Sequence, residues 1–408
     1  MHRTRILHLA LAAFAAFVTN TQSAAAQSGS APTPSGPTVT FDGRGITIRG
    51  TDSVTSVNLR FRLQEMAALT SRDDGPLTLR RSQLFVRRAR IRLEAIVHDP
   101  RLKVNLQLAF SRLDLDQDNS GFANVLRDAL VTWQWTPRFS TAFGQTKLPG
   151  LRETMTTSNE LVFADRSILH ALFVVERDVG VFANYARDFG KMRVSLRSSV
   201  TSGEGRNPTT GDGGLAYSSR LDVMPLGAFA NNGDFSEGGI NPQPQPRISF
   251  GAAVSRNDGA IRTGGQSGPA LYAQRDLTTA FGDVLFKSGH FSLATEYAHR
   301  SSGAPITTSG TSSRFIFAGE GVMTQASYLI ARAHLEPAVR VAFERPALPI
   351  RPLSAASPIA EASAGITRYV VGHKVKWQLE IIHDSFRDYV TRLSRGEWTG
   401  RGSIEVGI

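Results

Sequence analysis

The chain of 408 residues contains no cysteine. Zinc–thiolate and iron–sulfur sites are thereby excluded, as is thiol catalysis, and a chain of this length can fold without disulfides. Beyond the first few residues, no stretch approaches the ~20 apolar residues of a membrane-crossing helix. No H-E-x-x-H, G-x-S-x-G, P-loop or G-x-G-x-x-G motif occurs, and the nine histidines show no clustered spacing. The expectation is a protein without catalytic residues, cofactor or metal.

What is present begins with Arg3 and Arg5, then apolar residues 6–18, then Ala24-Ala25-Ala26. That order is the pattern of a secretory signal peptide cleaved before Gln27, with an apolar stretch too short to span a bilayer. Residues 27–38 (QSGSAPTPSGPT) are rich in Pro, Gly and Ser, the composition of a linker. The domains expected are a signal peptide (1–26), a flexible periplasmic linker (27–41) and an outer-membrane barrel (42–408). An exported chain without a second apolar run is either soluble or crosses lipid as a closed barrel, whose strands alternate. The formal net charge is +11, of which the leader holds only Arg3 and Arg5. An exported basic chain has little access to nucleic acid, so small anions or the phosphates of outer-membrane lipid are the expected partners.

Period-2 alternation dominates the remainder. Val57, Leu59, Phe61 and Leu63 alternate with Asn58, Arg60, Arg62 and Gln64; Ala89, Ile91, Leu93 and Ala95 alternate with Arg88, Arg90, Arg92 and Glu94. Each such run is a strand with one apolar and one polar face. About sixteen are predicted, near 54–66, 80–97, 101–111, 125–136, 139–147, 178–188, 191–201, 214–224, 246–256, 276–287, 290–300, 320–330, 334–344, 363–373, 374–383 and 401–408. Residues 42–50 form a further short strand or a lead-in. The links after even-numbered strands are short and the others long, which is the asymmetry of an outer-membrane barrel. A secreted β-sandwich adhesin has no reason to sort its loops this way. One link, 225–245, is long where a short turn is due. Trp133, Trp135, Phe139, Phe143, Tyr369, Trp377 and Phe386 lie near strand ends, where an interfacial girdle would place them.

Several stretches resemble the phosphate-selective porin O/P family: Arg87-Arg88-Ala89-Arg90-Ile91-Arg92-Leu93-Glu94 with Asp99-Pro100-Arg101-Leu102-Lys103, then Gly144-Gln145-Thr146-Lys147-Leu148-Pro149 with Asp165-Arg166-Ser167, and Arg177-Asp178-Val179-Gly180-Val181. The resemblance implies a sixteen-stranded transmembrane antiparallel all-β barrel, a homotrimer, an inward-folded third loop acting as a constriction, and phosphate or polyphosphate as the favoured solute. It also makes the 225–245 link an elaborated turn. The ending Ile404-Glu405-Val406-Gly407-Ile408 departs from the aromatic terminus usual in such barrels.

With the apolar faces toward lipid, the last strands and the first three form one wall that points Arg60, Arg62, Arg88, Arg90, Arg92, Lys103, Lys374 and Lys376 into the lumen, partly offset by Glu94, Glu380 and Glu405. Such charge concentrates anions in a narrow channel, and arginine stays ionised and matches oxyanions with planar donors. In the third loop, Lys147 and Arg152 are the candidates for contact with solute, whereas Asp165 and Arg166 are expected to pair structurally and pin the loop. Asp114, Asp116 and Asp118 do not meet the spacing of a calcium loop, since Asn119 and Val125 stand where Gly and Glu are required; a solvated acidic loop is expected there. The function expected is passive, anion-preferring diffusion across the outer membrane. A general non-selective porin and an outer-membrane hydrolase on a smaller barrel are the alternatives.

Overall fold

A computed structural model of the chain describes residues 36–43, 45–72, 79–116, 121, 123–208, 213–353 and 356–408. The chain divides into Met1–Gly36 and Pro37–Ile408. The expected signal peptide and most of the linker lie outside the described residues.

Among the described residues, twenty strands follow in order. The first are β1 (Thr38–Asp42), β2 (Gly45–Arg49), β3 (Ser56–Arg72), β4 (Leu79–Val97), β5 (Asp99–Ala109), β6 (Leu126–Thr136) and β7 (Phe139–Lys147). Next come β8 (Arg177–Phe189), β9 (Met192–Thr201), β10 (Ala216–Met224), β11 (Gln243–Arg262), β12 (Ala270–Gly289) and β13 (Phe291–Ser301). The last are β14 (Ile306–Ser309), β15 (Ser312–Phe315), β16 (Gly319–Tyr328), β17 (Leu335–Pro346), β18 (Ile359–Val371), β19 (Val375–Arg387) and β20 (Ser394–Gly407). Among the described residues, three short helices lie in connections: α1 (Arg112–Leu115), α2 (Arg152–Met155) and α3 (Ile168–Phe173).

β3–β13 and β16–β20 pair antiparallel, each with its chain neighbour, and β20 closes on β3 with Gly407 opposite Arg62 and Glu397 opposite Arg72. The result is a closed sixteen-stranded antiparallel barrel. The Ile408 amide donates to the Phe61 carbonyl (3.0 Å), so Ile408 adds a bond to the seam. Closure removes sheet edges, which lipid does not tolerate.

Burial is inverted relative to a soluble protein. On β17, Val339, Val341 and Phe343 are 58, 58 and 49 % exposed, whereas Glu336, Arg340 and Glu344 are 0, 3 and 0 % exposed. Apolar side chains face outward and charged ones fill the lumen, as in a barrel whose outer solvent is hydrocarbon. Trp135, Phe139, Phe143 and Trp377 belong to that outer face. Tyr369 does not: it is buried and donates to Glu336 (2.8 Å) on the lumen side, because its position in β18 falls on the polar register.

The predicted strands correspond one to one with those of the barrel. Their outer ends run further, above all in β11 and β12, each of 20 residues. The sequence loses its alternation there, at Asn257-Asp258-Gly259, where pairing continues through register shifts. The flexible linker expected over 27–41 needs correction at its end. Thr38–Asp42 is a strand, paired with β2, which in turn extends the sheet along Ser56–Leu59 of β3, so the folded part begins before residue 42. Connections on one end are as short as His98, Pro137-Arg138 and His290; the exception at 225–242 carries a 3-10 turn over Ala230–Phe235. The opposite end holds the long ones, including a small β14–β15 hairpin and the third, 148–176.

Candidate functional site

Inside the barrel an open cavity of about 1030 Å³ runs along the inner faces of β3–β7, from Arg206 and Gln266 near the long loops to Gly43 and Lys374 near the short turns. Ten arginines and two lysines line it, against six carboxylates. His170, in α3, also lines it; burial, reinforced by Arg166, pushes its imidazole well below the ordinary value, so it adds no charge.

The predicted cations divide into two groups. Arg60 and Arg92 line the cavity and share one counter-ion, Glu94, at a distance of 2.7 Å from Arg92. Arg62 lines it too, donating to Ser158 Oγ (2.6 Å) and pairing with Glu405 (2.6 Å). Lys374 lines it at the short-turn end, beside Gly43. Lys103 shares the inner register of Asn105 and Gln107 but sits at the exposed turn end of β5, outside the cavity lining.

The second group is spent on structure. Arg88 is fully buried, donates to Gln64 and pairs with Asp165 of the third loop (2.7 Å). Arg90 makes a two-pronged pair with Asp114 (2.7 and 2.8 Å). Lys376 Nζ donates to the carbonyls of Asn159 (2.8 Å) and Leu161 (2.7 Å). Lys147 lines the cavity, yet its Nζ points back to the carbonyls of Thr154 (2.7 Å) and Thr156 (3.1 Å). Arg152 is buried away from the cavity, held by Asp283 (2.6 Å), Asp222 (3.1 Å) and Ser249 (2.9 Å), so its expected contact with solute is corrected. The common cause is burial: a cation covered by a loop is stable only where acceptors replace water.

Those acceptors belong largely to 148–176. Besides Arg88, the segment meets Gln64 of β3 through Ala164 O (3.0 Å), Glu380 of β19 through Ala164 N (3.2 Å), Glu361 of β18 through Ile168 N (3.2 Å) and Glu296 of β13 through Glu153 N (2.9 Å). Arg300 of β13 caps α3 through the carbonyls of Leu172 (2.7 Å) and Val174 (3.1 Å). The side-chain pair expected between Asp165 and Arg166 is not formed. Asp165 takes Arg87 (2.6 Å) and Arg88, while Arg166 reaches the carbonyls of Glu153 (2.9 Å) and Thr156 (2.8 Å). Burial works against ionisation of Asp165, but Arg88 and Arg87 outweigh it and hold the carboxyl well below the usual range.

An inverted barrel with a basic lumen is the architecture of a porin. The family described as phosphate-selective porin O and P matches residues 57–312, more than half of the chain. The chain belongs to that family. Solved porin structures share its fold: the anion-selective porin from Comamonas acidovorans (10% identity, TM-score 0.54, covering 87% of this chain and 100% of that one), the outer-membrane channel DcaP of Acinetobacter baumannii (13%, 0.52, 87% and 98%) and OprB of Pseudomonas putida (8%, 0.52, 88% and 95%). Among curated proteins, none matches the sequence.

Several functional residues of this porin escaped the sequence reading. Arg87, Arg127 and Arg206 line the cavity and were not placed on the basic wall. Arg87 is the extra residue of a bulge between β3 and β4, where Gln64 faces Arg88 and Glu65 faces Val86, and strict alternation would send it outward. Asp114, expected in a solvated loop, is buried between Arg90 and Arg127 (2.9 Å). The usable signal was charge: an acidic loop following an arginine-rich strand is a plausible counter-ion for it.

Proposed function

We propose that this outer-membrane porin is a passive channel for small hydrophilic anions, with phosphate or polyphosphate as favoured solute and no catalytic step or energy coupling. The observation that carries the reading is the cavity's charge, with twice as many cations as carboxylates. Arg62 Nη2, Arg92 Nε and Arg127 Nε are buried without a hydrogen-bond acceptor, and an oxyanion in transit is the natural partner for such planar donors. The segment 148–176 is the constriction, and the pore-lining contacts fall chiefly to Arg60, Arg62, Arg92 and Lys374. Export depends on the leader 1–26. Assembly is as a homotrimer. Glu65 stands exposed on the outer face of β3, between Leu63 and Leu69, where hydrocarbon is a poor neighbour and another subunit a better one.

A planar-bilayer recording in a potassium chloride gradient tests the selectivity. Anion preference in the reversal potential, with phosphate competing against chloride, is the expected result; a reversal potential near zero would favour a general porin. The pairing of Arg88 with Asp165 and of Arg90 with Asp114 is the observation on that side.

A further inference from the structure

The 225–242 link breaks the loop pattern, and the cavity accounts for only one side of the lumen. None of the residues 225–242, all of them described, lines that cavity. Yet Ser236, Glu237 and Gly239 are buried. From its root between β10 and β11, the link reaches far across the short-turn end. Lys287 of β12 donates to Ser236 O (2.5 Å), and Gly239 N donates to Glu336 of β17 (2.6 Å). Ser236 Oγ lies 3.3 Å from His373 Nε2, in the turn between β18 and β19.

There it joins the third loop. Glu237 N donates to Glu160 O (2.9 Å), and Val162 N donates to the Glu237 carboxylate (3.0 Å). Arg152 donates to Asp234 O (2.7 Å). The Phe235 ring lies under three guanidinium groups, those of Arg197 (4.6 Å), Arg152 (5.2 Å) and Arg220 (5.9 Å). Asp222 and Asp283 neutralise the same arginines. Two segments entering from opposite ends of the barrel are thus bonded into one body.

We infer that 225–242 is a second pore-defining element, a periplasmic strut. It closes the β10–β17 side of the lumen and fixes the third loop against it, confining permeation to the β3–β7 side. Glu237 is its positioning residue, because its backbone and carboxylate both hold the loop. Pore size is the property concerned, so the inference stands or falls apart from anion preference.

The test is conductance of the full-length protein in planar bilayers, with polyethylene glycols of graded size as probes of pore width. Replacing 228–240 by a two-residue turn should raise conductance about twofold, as expected when a wide barrel loses an internal plug, and admit larger polymers. Glu237→Ala should increase conductance and open-channel noise, whereas Glu237→Gln, which keeps an acceptor for Val162 N, should restore both. A folded deletion barrel with unchanged conductance and polymer cut-off would overturn the inference. Where the deletion fails to fold, identical behaviour of Glu237→Ala, Glu237→Gln and the parent would do the same.

Discussion

The cluster of Arg60, Arg92 and Glu94 carries one net positive charge inside the cavity. In the double variant Arg60→Gln/Arg92→Gln it would carry one negative charge, with Asn105 (3.4 Å) still donating to Glu94. These side chains are 36, 33 and 37 % exposed, so a water-like dielectric applies. For an ion about 8 Å away, one charge then acts with about 0.5 kcal/mol, and a Debye length of about 10 Å at 0.1 M salt reduces that to about 0.25 kcal/mol. Two charges are lost, and anion and cation respond with opposite sign. The permeability ratio should therefore shift toward cations by about 1 kcal/mol, roughly fivefold. At 0.01 M the Debye length grows to about 30 Å, which leaves about 0.4 kcal/mol per charge and a shift of roughly fifteenfold. Reversal potentials in salt gradients read this directly. Ile91→Val, on the outward face of the same strand, is the control and should change nothing. An unchanged reversal potential in a correctly inserted double variant would refute the reasoning, since no nearer pair of half-exposed cations on the wall would remain to govern entry.

Removing Asp165 strands the buried Arg88 charge, a change that costs about 3–5 kcal/mol in comparable buried pairs; Asp165→Ala should lower the temperature at which the barrel loses its folded gel mobility, and Arg88→Met in addition should recover part of that loss. Because the Asp165 carboxyl is held well below its ordinary value, its contribution is complete above the unfolded carboxylate range and disappears only as pH falls through the depressed value; the loop should stay pinned, and open-channel noise constant, from pH 7 to pH 4. Ile408 bonds to Phe61 and ends the closing strand, so Ile408→Phe should insert as well as the parent or better, while Ile408→Asp should insert poorly in an outer-membrane assembly assay. The purified protein should need detergent and migrate differently on gels before and after boiling; a detergent-free folded monomer would contradict the barrel.

The sequence alone determined the barrel. Apolar and polar residues alternate with period two, so each strand's two faces are written locally, and the sorting of short and long links fixes which ends meet. That is why Arg60, Arg62 and Arg92 could be placed in the lumen by reading along single strands. What only the tertiary structure decided is which lumen charges are free. Arg88 and Arg90 alternate as Arg92 does, yet Asp165 and Asp114 arrive from loops 77 and 24 residues away and bury them. Arg152 likewise meets Asp283, 131 residues distant, and ends in the body that joins the third loop to 225–242. Alternation is a property of neighbouring residues, whereas neutralising a charge depends on where a distant loop brings its acceptors.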